Sequence, residues 1–244
     1  MLCARDLQLI GRLHGVTSDL RPGELTAICG PNGAGKSSLL ACLAGLIEPE
    51  GGTALLAGQP VLALAPRERA KAIGYLPQSH NAAWDVSVET LVALGRLPHA
   101  SGHELDRAAV EAALARLDLT ALRSRPLSRL SGGEKARAHL ARVLAGEPDW
   151  ILADEPLANL DLAHAAGLLT TLKATARAGA GVIVVLHDLA SAMNNADRVL
   201  VLSQGKLVAD GQPAQVLDER LIRDCWGVQA RWLGERGRRA LALD

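Results

Sequence analysis

Leu25-Thr-Ala-Ile-Cys29, running directly into Gly30-Pro31-Asn32-Gly33-Ala34-Gly35-Lys36-Ser37-Ser38, decides the fold of this 244-residue chain. A short apolar run bounded by glycine reads as a buried strand, and the Leu-Leu-Ala-Cys-Leu that follows reads as a helix. Between them lies the Gly-x4-Gly-Lys-Ser pattern of a P-loop. Glycines let the backbone wrap closely around phosphate oxygens. Successive N–H groups and the positive end of the helix then face the anion. In such a cradle Lys36 reaches the β- and γ-phosphates, and Ser37 offers its hydroxyl to Mg²⁺. Residues 30 to 38 are therefore the expected nucleotide contacts: Gly30, Pro31, Asn32, Gly33, Ala34, Gly35, Lys36, Ser37 and Ser38.

Working outward, strand-like runs recur at Ile73–Leu76, Trp150–Ala153, 182–186 and 198–202, and 1–9 alternates like a strand. Helical stretches at 37–46, 160–178 and 189–194 are interleaved with them. This alternation predicts an α/β fold: a P-loop NTPase core with a mixed, largely parallel sheet. Residues 86–145 differ. Helical periodicity at 88–94, 105–117 and 134–144 has no strand between, which predicts a helical sub-domain inserted into a single domain of 1–244, with the core at about 1–85 and 146–244. The end of the chain from Pro213 reads as helical and then irregular, with Arg231, Arg236, Arg238 and Arg239 as a solvated surface.

Composition narrows the class. With 26 basic and 26 acidic residues the net charge is zero, without the basic excess of a general nucleic-acid binder, so no nucleic acid is expected as a partner. No apolar run approaches the ~20 residues that a membrane-spanning helix needs. The start of the chain lacks the features of a signal peptide, so a cytoplasmic location is expected. Cys3, Cys29, Cys42 and Cys225 form no Cys-x-x-Cys pair and read as reduced thiols in the core.

A second signal is Trp150-Ile-Leu-Ala-Asp154-Glu155, an apolar strand ending in two carboxylates. Beside a P-loop, the first supports Mg²⁺ and the second can act as general base on an attacking water. A third is Leu130-Ser131-Gly132-Gly133-Glu134 ahead of a helix, which is another anion-binding helix start. One nucleotide site has no use for two of these, and a simple P-loop kinase has no role for the second.

Here the chain resembles the ABC ATPase family, whose signature motif is Leu-Ser-Gly-Gly. The elements stand in family order over essentially the whole chain: P-loop, Gln78, Leu130 to Glu134, Asp154-Glu155, Asp161 and His187. The resemblance implies two copies packed head to tail as a homodimer. Each ATP would lie on one P-loop and under Ser131, Gly132 and Gly133 of the other copy. It implies that Gln78 touches Mg²⁺ or the attacking water, that Asp161 crosses the dimer interface while also capping a helix, and that His187 contacts the γ-phosphate and holds Glu155. Mg²⁺ would thus meet Ser37, Gln78 and Asp154. The remaining histidines, His14, His80, His99, His103, His139 and His164, read as surface or packing residues.

Departures are few. The stretch 9–21, where many members carry an adenine-stacking aromatic, has none, which leaves Arg12 or His14 as the candidate and GTP as an alternative nucleotide. Ser38 stands where Thr is common. Ala153 is small for its strand position. Lys135 and Ala136 follow the signature where Arg or Gln is usual.

Three stretches resemble importers of metal chelates: the Ala-Pro-Arg-Glu-Arg run from Ala65 to Gln78, Gly95-Arg96-Leu97-Pro98-His99, and Val185-Leu-His187-Asp-Leu-Ala190. Arg12-Leu-His-Gly-Val-Thr is similar to the start of cobalamin importers' ATPases. The resemblance implies an ATPase on the cytoplasmic face of the inner membrane. It would be docked peripherally beneath a permease dimer, with a periplasmic binding protein beyond, and would power import of an iron-siderophore, haem or cobalamin. The alternative is a soluble ABC-type ATPase acting mechanically on nucleic acid or protein.

Overall fold

The computed structural model describes residues 1–78, 85–99, 102–158 and 160–243. The elements follow in chain order. Two strands, β1 (Leu2–Leu9) and β2 (Leu13–Leu20), precede β3 (Leu25–Cys29) and the P-loop helix α1 (Lys36–Leu43). Next come β4 (Gly51–Leu56), β5 (Gln59–Pro60), α2 (Pro66–Ala72) and β6 (Ile73–Leu76). Three helices, α3 (Val88–Ala93), α4 (His103–Arg116) and α5 (Gly132–Ala145), lie before β7 (Trp150–Ala153). Then α6 (Leu162–Arg177), β8 (Gly181–Val185), α7 (Leu189–Asn195), β9 (Arg198–Ser203) and β10 (Lys206–Gly211) complete the core. The chain ends in α8 (Pro213–Val216), α9 (Glu219–Trp226), β11 (Ala230–Leu233) and β12 (Ala240–Leu243).

The central sheet has the order β10-β9-β3-β8-β7-β6. All of its pairings are parallel except β9 with β10. Strands β3, β7 and β8 are buried at every residue, as expected for a parallel sheet covered on both faces. Their side chains alternate between two cores. Leu25, Ala27 and Cys29 face the helical side with Ile151, Val182 and Val184. Ile28, Leu152, Ile183 and Val185 face α1 and the second sheet. That second sheet is antiparallel, in the order β2-β1-β4-β5.

The strand order positions the chemistry. Strands β3, β8, β7 and β6 are neighbours and run the same way, so their carboxyl ends lie side by side. The chain order of P-loop, Gln78, Asp154-Glu155 and His187 becomes the spatial order of P-loop, His187, Glu155 and Gln78. Ligands in such sheets sit beyond the carboxyl ends of the strands.

Helices α3, α4 and α5 share the sheet's core: Val92, Val110, Leu114 and Leu140 belong to the same buried cluster as Ala27 and Val184. A polar clamp adds to this. Arg96, only 7% exposed, donates from Nε to Asp106 Oδ1 at 2.9 Å, and from Nη1 to the Ala145 carbonyl at 2.9 Å and to Glu147 Oε2 at 2.7 Å. His99 Nε2 lies 2.8 Å from the Gly146 carbonyl. The Gly95–His99 run thus ties the end of α3 to α4 and to the last turn of α5. Arg96→Met is expected to destabilise the fold by roughly 3 kcal/mol, because the buried carbonyl and Asp106 lose their donor. A thermal melt checks this, and an unchanged midpoint would show that the clamp carries no stability.

Besides the two-residue β5, three strands were not legible as such: β2, β4 and β10. Their burial is partial and alternating, and Gly and polar residues interrupt their apolar runs. The expected irregular end is instead corrected to an antiparallel hairpin, β11 with β12. It turns through Gly234 and Gly237, both at positive φ. Its inward residues Trp232 and Leu241 pack on the main core, and Trp232 Nε1 donates to the Leu217 carbonyl at 2.6 Å. The arginine-rich composition hides this period-two pattern. Arg231, Arg236 and Arg238 are exposed, but Arg239 is not simply solvated: its amide donates to Asn194 Oδ1, and its carbonyl accepts from Asn194 Nδ2, each at 2.8 Å.

Candidate functional site

The P-loop joins β3 to α1. Gly30, Gly33 and Gly35 all have positive φ, a backbone region that side chains disfavour and glycine adopts freely. Gly35 is needed for space as well: a Cβ there would stand 2.4 Å from the Arg12 carbonyl in the β1–β2 turn. Lys36 is buried, and its Nζ donates to the carbonyls of Gly30 at 2.8 Å and Pro31 at 2.9 Å. Burial draws its pKa below the usual lysine range, with Glu155, Cys29 and Asp154 pulling the other way. Cys29, directly beneath the loop, is pushed up to about 12 by burial. It is therefore an inert apolar neighbour. Cys3 and Cys42 are likewise buried free thiols, and Cys225 is half-buried.

At the end of β7, Asp154 is 5% exposed and accepts from Ser37 Oγ at 3.0 Å. Burial raises its pKa, and the Ser37 hydroxyl counters that. Glu155 has φ 49°, a strained backbone for a non-glycine residue that typically costs 1–3 kcal/mol and collects at functional sites. The strained backbone accompanies a carboxylate held from both sides. Its Oε1 lies 2.5 Å from His187 Nε2, and its Oε2 accepts from Gln78 Nε2 at 2.6 Å. Four-residue β6 ends just before Gln78, and β8 ends just before Leu186 and His187, so the sheet itself brings these groups together. No single stretch of sequence contains the Gln78–Glu155–His187 arrangement, and the bend at Glu155 had no signal in it.

Residues 32–38 line a pocket of about 250 Å³ together with Arg12, Glu155 and His187. Of the two candidates for the base, Arg12 is on this wall. His14 instead lies against Gly205, beyond the loop. Ser131, Gly132, Gly133 and Asp161 are not among the pocket's lining. Ser131 caps α5 through a capping box, its Oγ accepting from Glu134 N and Glu134 Oε2 accepting from Ser131 N. Asp161 caps α6, with Oδ1 accepting from His164 N at 2.9 Å, as the sequence suggested. Asn159 and His80 lie outside the described residues. Ser38 is buried and Ala153 wholly so.

The donor set suits Mg²⁺. The Ser37 hydroxyl and the Asp154 carboxylate are hard oxygen ligands that already meet at the mouth of a phosphate cradle, and Mg²⁺ takes few protein ligands plus phosphate and water. Among the described residues, no group of three or more His, Cys, Asp or Glu could hold a metal on its own.

A P-loop on the central strand, a buried aspartate beside it, and a glutamate held by a glutamine and a histidine define a nucleoside-triphosphate hydrolase. The ABC transporter family model matches residues 13–158. The hemin import ATP-binding protein HmuV of Pseudomonas entomophila is 43% identical over 221 residues, covering 88% of this chain and 87% of that protein. Its counterpart in Streptomyces coelicolor is 44% identical over 216 residues, covering 88% and 77%. Among solved structures, a chain of an inward-facing transporter described as being of the metal-chelate type superposes with a TM-score of 0.85 at 25% identity, covering all of this chain and 96% of that one. A dimeric bacterial ABC transporter cassette superposes with a TM-score of 0.78 at 25% identity, covering 87% and 99%. The chain belongs to the ABC transporter family and is an ATP-binding, ATP-hydrolysing subunit. Among the described residues no helix is long and apolar enough to cross a membrane.

Proposed function

We propose that two copies of this chain close head to tail around two ATP molecules and use their hydrolysis to drive import of a metal chelate, haem above all, through a partner permease. One observation carries the paired arrangement. The second anion-binding helix start, with Ser131 and Gly132 exposed and Gly133 half-buried, stands apart from the chain's own nucleotide pocket. Leu162, beside Asp161, is 91% exposed, an apolar side chain that a second copy would cover. The haem reading rests on the two hemin import relatives above and on the structural likeness to a transporter of the metal-chelate type.

In this reading residues 30–38 wrap the phosphates, and Lys36 leaves the Gly30 and Pro31 carbonyls for the γ-phosphate. Ser37, Asp154 and Gln78 would hold Mg²⁺, which when bound neutralises phosphate charge. Glu155 takes a proton from the attacking water. Each carboxylate oxygen offers two lone-pair sites, so Glu155 can do this while His187 and Gln78 fix its direction. Little covalent work remains, since alignment and charge stabilisation dominate phosphoryl transfer. The partner copy's Ser131, Gly132 and Gly133 complete the cradle, so hydrolysis requires closure.

Residues 86–145 form the inserted helical unit of the single domain. A groove of about 290 Å³ runs between this unit and the core, lined by Leu46, Arg69, Tyr75, Leu94, Pro98 and Val143 among others. Exposed Leu46, Leu94 and Leu97 provide apolar contact area in and around it, which suits a short helix from the permease. Tyr75 sits on β6, the strand that leads to Gln78, so a helix seated there would act on the site through that strand. The chain would then sit peripherally on the cytoplasmic face of the membrane, with a periplasmic binding protein delivering cargo. Pull-down from gently solubilised membranes is expected to recover a many-helix permease. Recovery of soluble partners alone would favour a mechanical ATPase instead.

Arg12 supplies the base contact in place of an aromatic ring. Arg12→Ala is expected to weaken ATP binding about 3- to 10-fold, the range of a cation–π contact, as read by titration with a fluorescent ATP analogue. Unchanged affinity would remove Arg12 from the site.

A further inference from the structure

His164 occupies a position that capping alone does not explain. The cap of α6 needs only the His164 backbone amide, which donates to Asp161 Oδ1. The imidazole does two further things. Its Nδ1 lies 2.6 Å from Asp161 Oδ2, and because an ionised carboxylate can only accept, Nδ1–H is the donor. Its ring also lies against Gly133 of α5: a Cβ at Gly133 would meet His164 Cγ at 2.6 Å, Cδ2 at 2.7 Å and Nδ1 at 2.9 Å. Gly133 has an ordinary negative φ, so it is the ring, not backbone strain, that requires glycine at this position. Asp161 is thus held through both oxygens by one residue, while the other side of that residue backs the glycine of the second anion-binding helix start. The side chains of His164 and Asp161 are 34% and 64% exposed, at a surface open to a second copy.

We propose that His164 is a positioning residue that joins Gly133 and Asp161 into one rigid unit, so that both are presented to the partner copy's nucleotide in fixed relation. This rests on the paired-site reading above. The contact is direct, through one ring and one hydrogen bond, and it links two helices that the chain separates by the whole of β7 and its carboxylates. Its effect falls on closure and turnover, because neither residue belongs to the chain's own P-loop pocket.

The test compares His164→Ala, His164→Leu and His164→Asn with the parent chain, measuring ATP hydrolysis per chain as protein concentration rises, together with the melting curve. Asn keeps a nitrogen donor at the δ position. Leu keeps bulk over Gly133 without the donor. Ala loses both. The expected result is a kcat about tenfold lower for Ala and for Leu, the effect of losing one charge-assisted hydrogen bond. KM for ATP stays within about twofold, because uniform nucleotide binding is untouched. His164→Asn should recover most of the rate. Parent-like kcat in both Ala and Leu overturns the proposal. So does a loss that follows a collapse in melting temperature in all three variants, which would make His164 a stability residue. If the parent chain itself hydrolyses ATP at a rate per chain that does not change with concentration, the paired-site reading fails first. A parent that depends on concentration beside variants that match it sinks this inference alone.

Discussion

Glu155→Gln is expected to bind ATP as tightly as the parent chain, to lose turnover by roughly 10²- to 10⁴-fold, the usual contribution of a positioned general base, and to accumulate as a closed pair. The substitution is nearly isosteric. The Gln78 amide can rotate to accept where it now donates at 2.6 Å, so the pocket is kept while the carboxylate is lost. Without proton abstraction the γ-phosphate stays intact, and the contacts that hold two copies around it persist. Gel filtration with and without ATP reads the dimer, and phosphate release reads the turnover. Retention of the parent rate would show that Glu155 is not the base. Lost turnover without a trapped pair would keep the base and cast doubt on closure. Gln78 and His187 should behave differently from Glu155. Each holds one carboxylate oxygen rather than the proton itself, so their loss leaves the base present but loosely aimed.

Ser131→Arg is expected to abolish nearly all hydrolysis while sparing ATP binding to the same copy's P-loop. Ser131 is exposed at the start of α5, outside its own pocket, so a bulky cation there has no local reason to disturb Lys36 or Asp154. It would stand where the partner's phosphates must approach. The capping box with Glu134 is lost as well, which costs about 1 kcal/mol of helix stability, too little to unfold the chain. The decisive form of the experiment mixes Ser131→Arg with Lys36→Ala. Each variant alone should be inactive. In a mixed pair, the intact P-loop of the first meets the intact Ser131 of the second, so one working site returns. With random pairing about half of the pairs are mixed and half of their sites work, so roughly a quarter of the parent rate is expected if the sites act independently. No recovery on mixing, with mixed pairs shown to form, would refute the shared site.

Much of this molecule was legible in its sequence because the relevant physics is local. A phosphate cradle needs glycines, a lysine and a serine within one turn of chain, and residues 30–38 supply all of them in order. A strand buried on both faces must be apolar throughout, so β3, β7 and β8 were visible as unbroken runs. The helix start at Asp161 announced itself through its capping residue and that at Ser131 through the serine and paired glycines of an anion-binding turn, each within a few residues of chain. Strands with one solvated face gave a weaker signal. In β2, β4 and β10 polar side chains and glycine interrupt the pattern, and in the terminal hairpin the arginines of the turn and outer face obscure the inward pair Trp232 and Leu241.

Tertiary structure alone decided which of these pieces meet. The sequence places Gln78, Glu155 and His187 on three separate segments. Only the strand order β3-β8-β7-β6 sets them side by side and puts a donor on each oxygen of Glu155. The sequence likewise presents Gly95-Arg96-Leu97-Pro98-His99 only as a run resembling that of metal-chelate importers, whereas folding buries Arg96 against the end of α5. Gly133 and His164 are conspicuous and ordinary, respectively, until α5 and α6 bring the ring against the glycine. Local chemistry can be read from neighbouring residues because covalent geometry fixes their spacing. Contacts between distant segments depend on how the sheet and helices pack, which no short stretch of chain encodes.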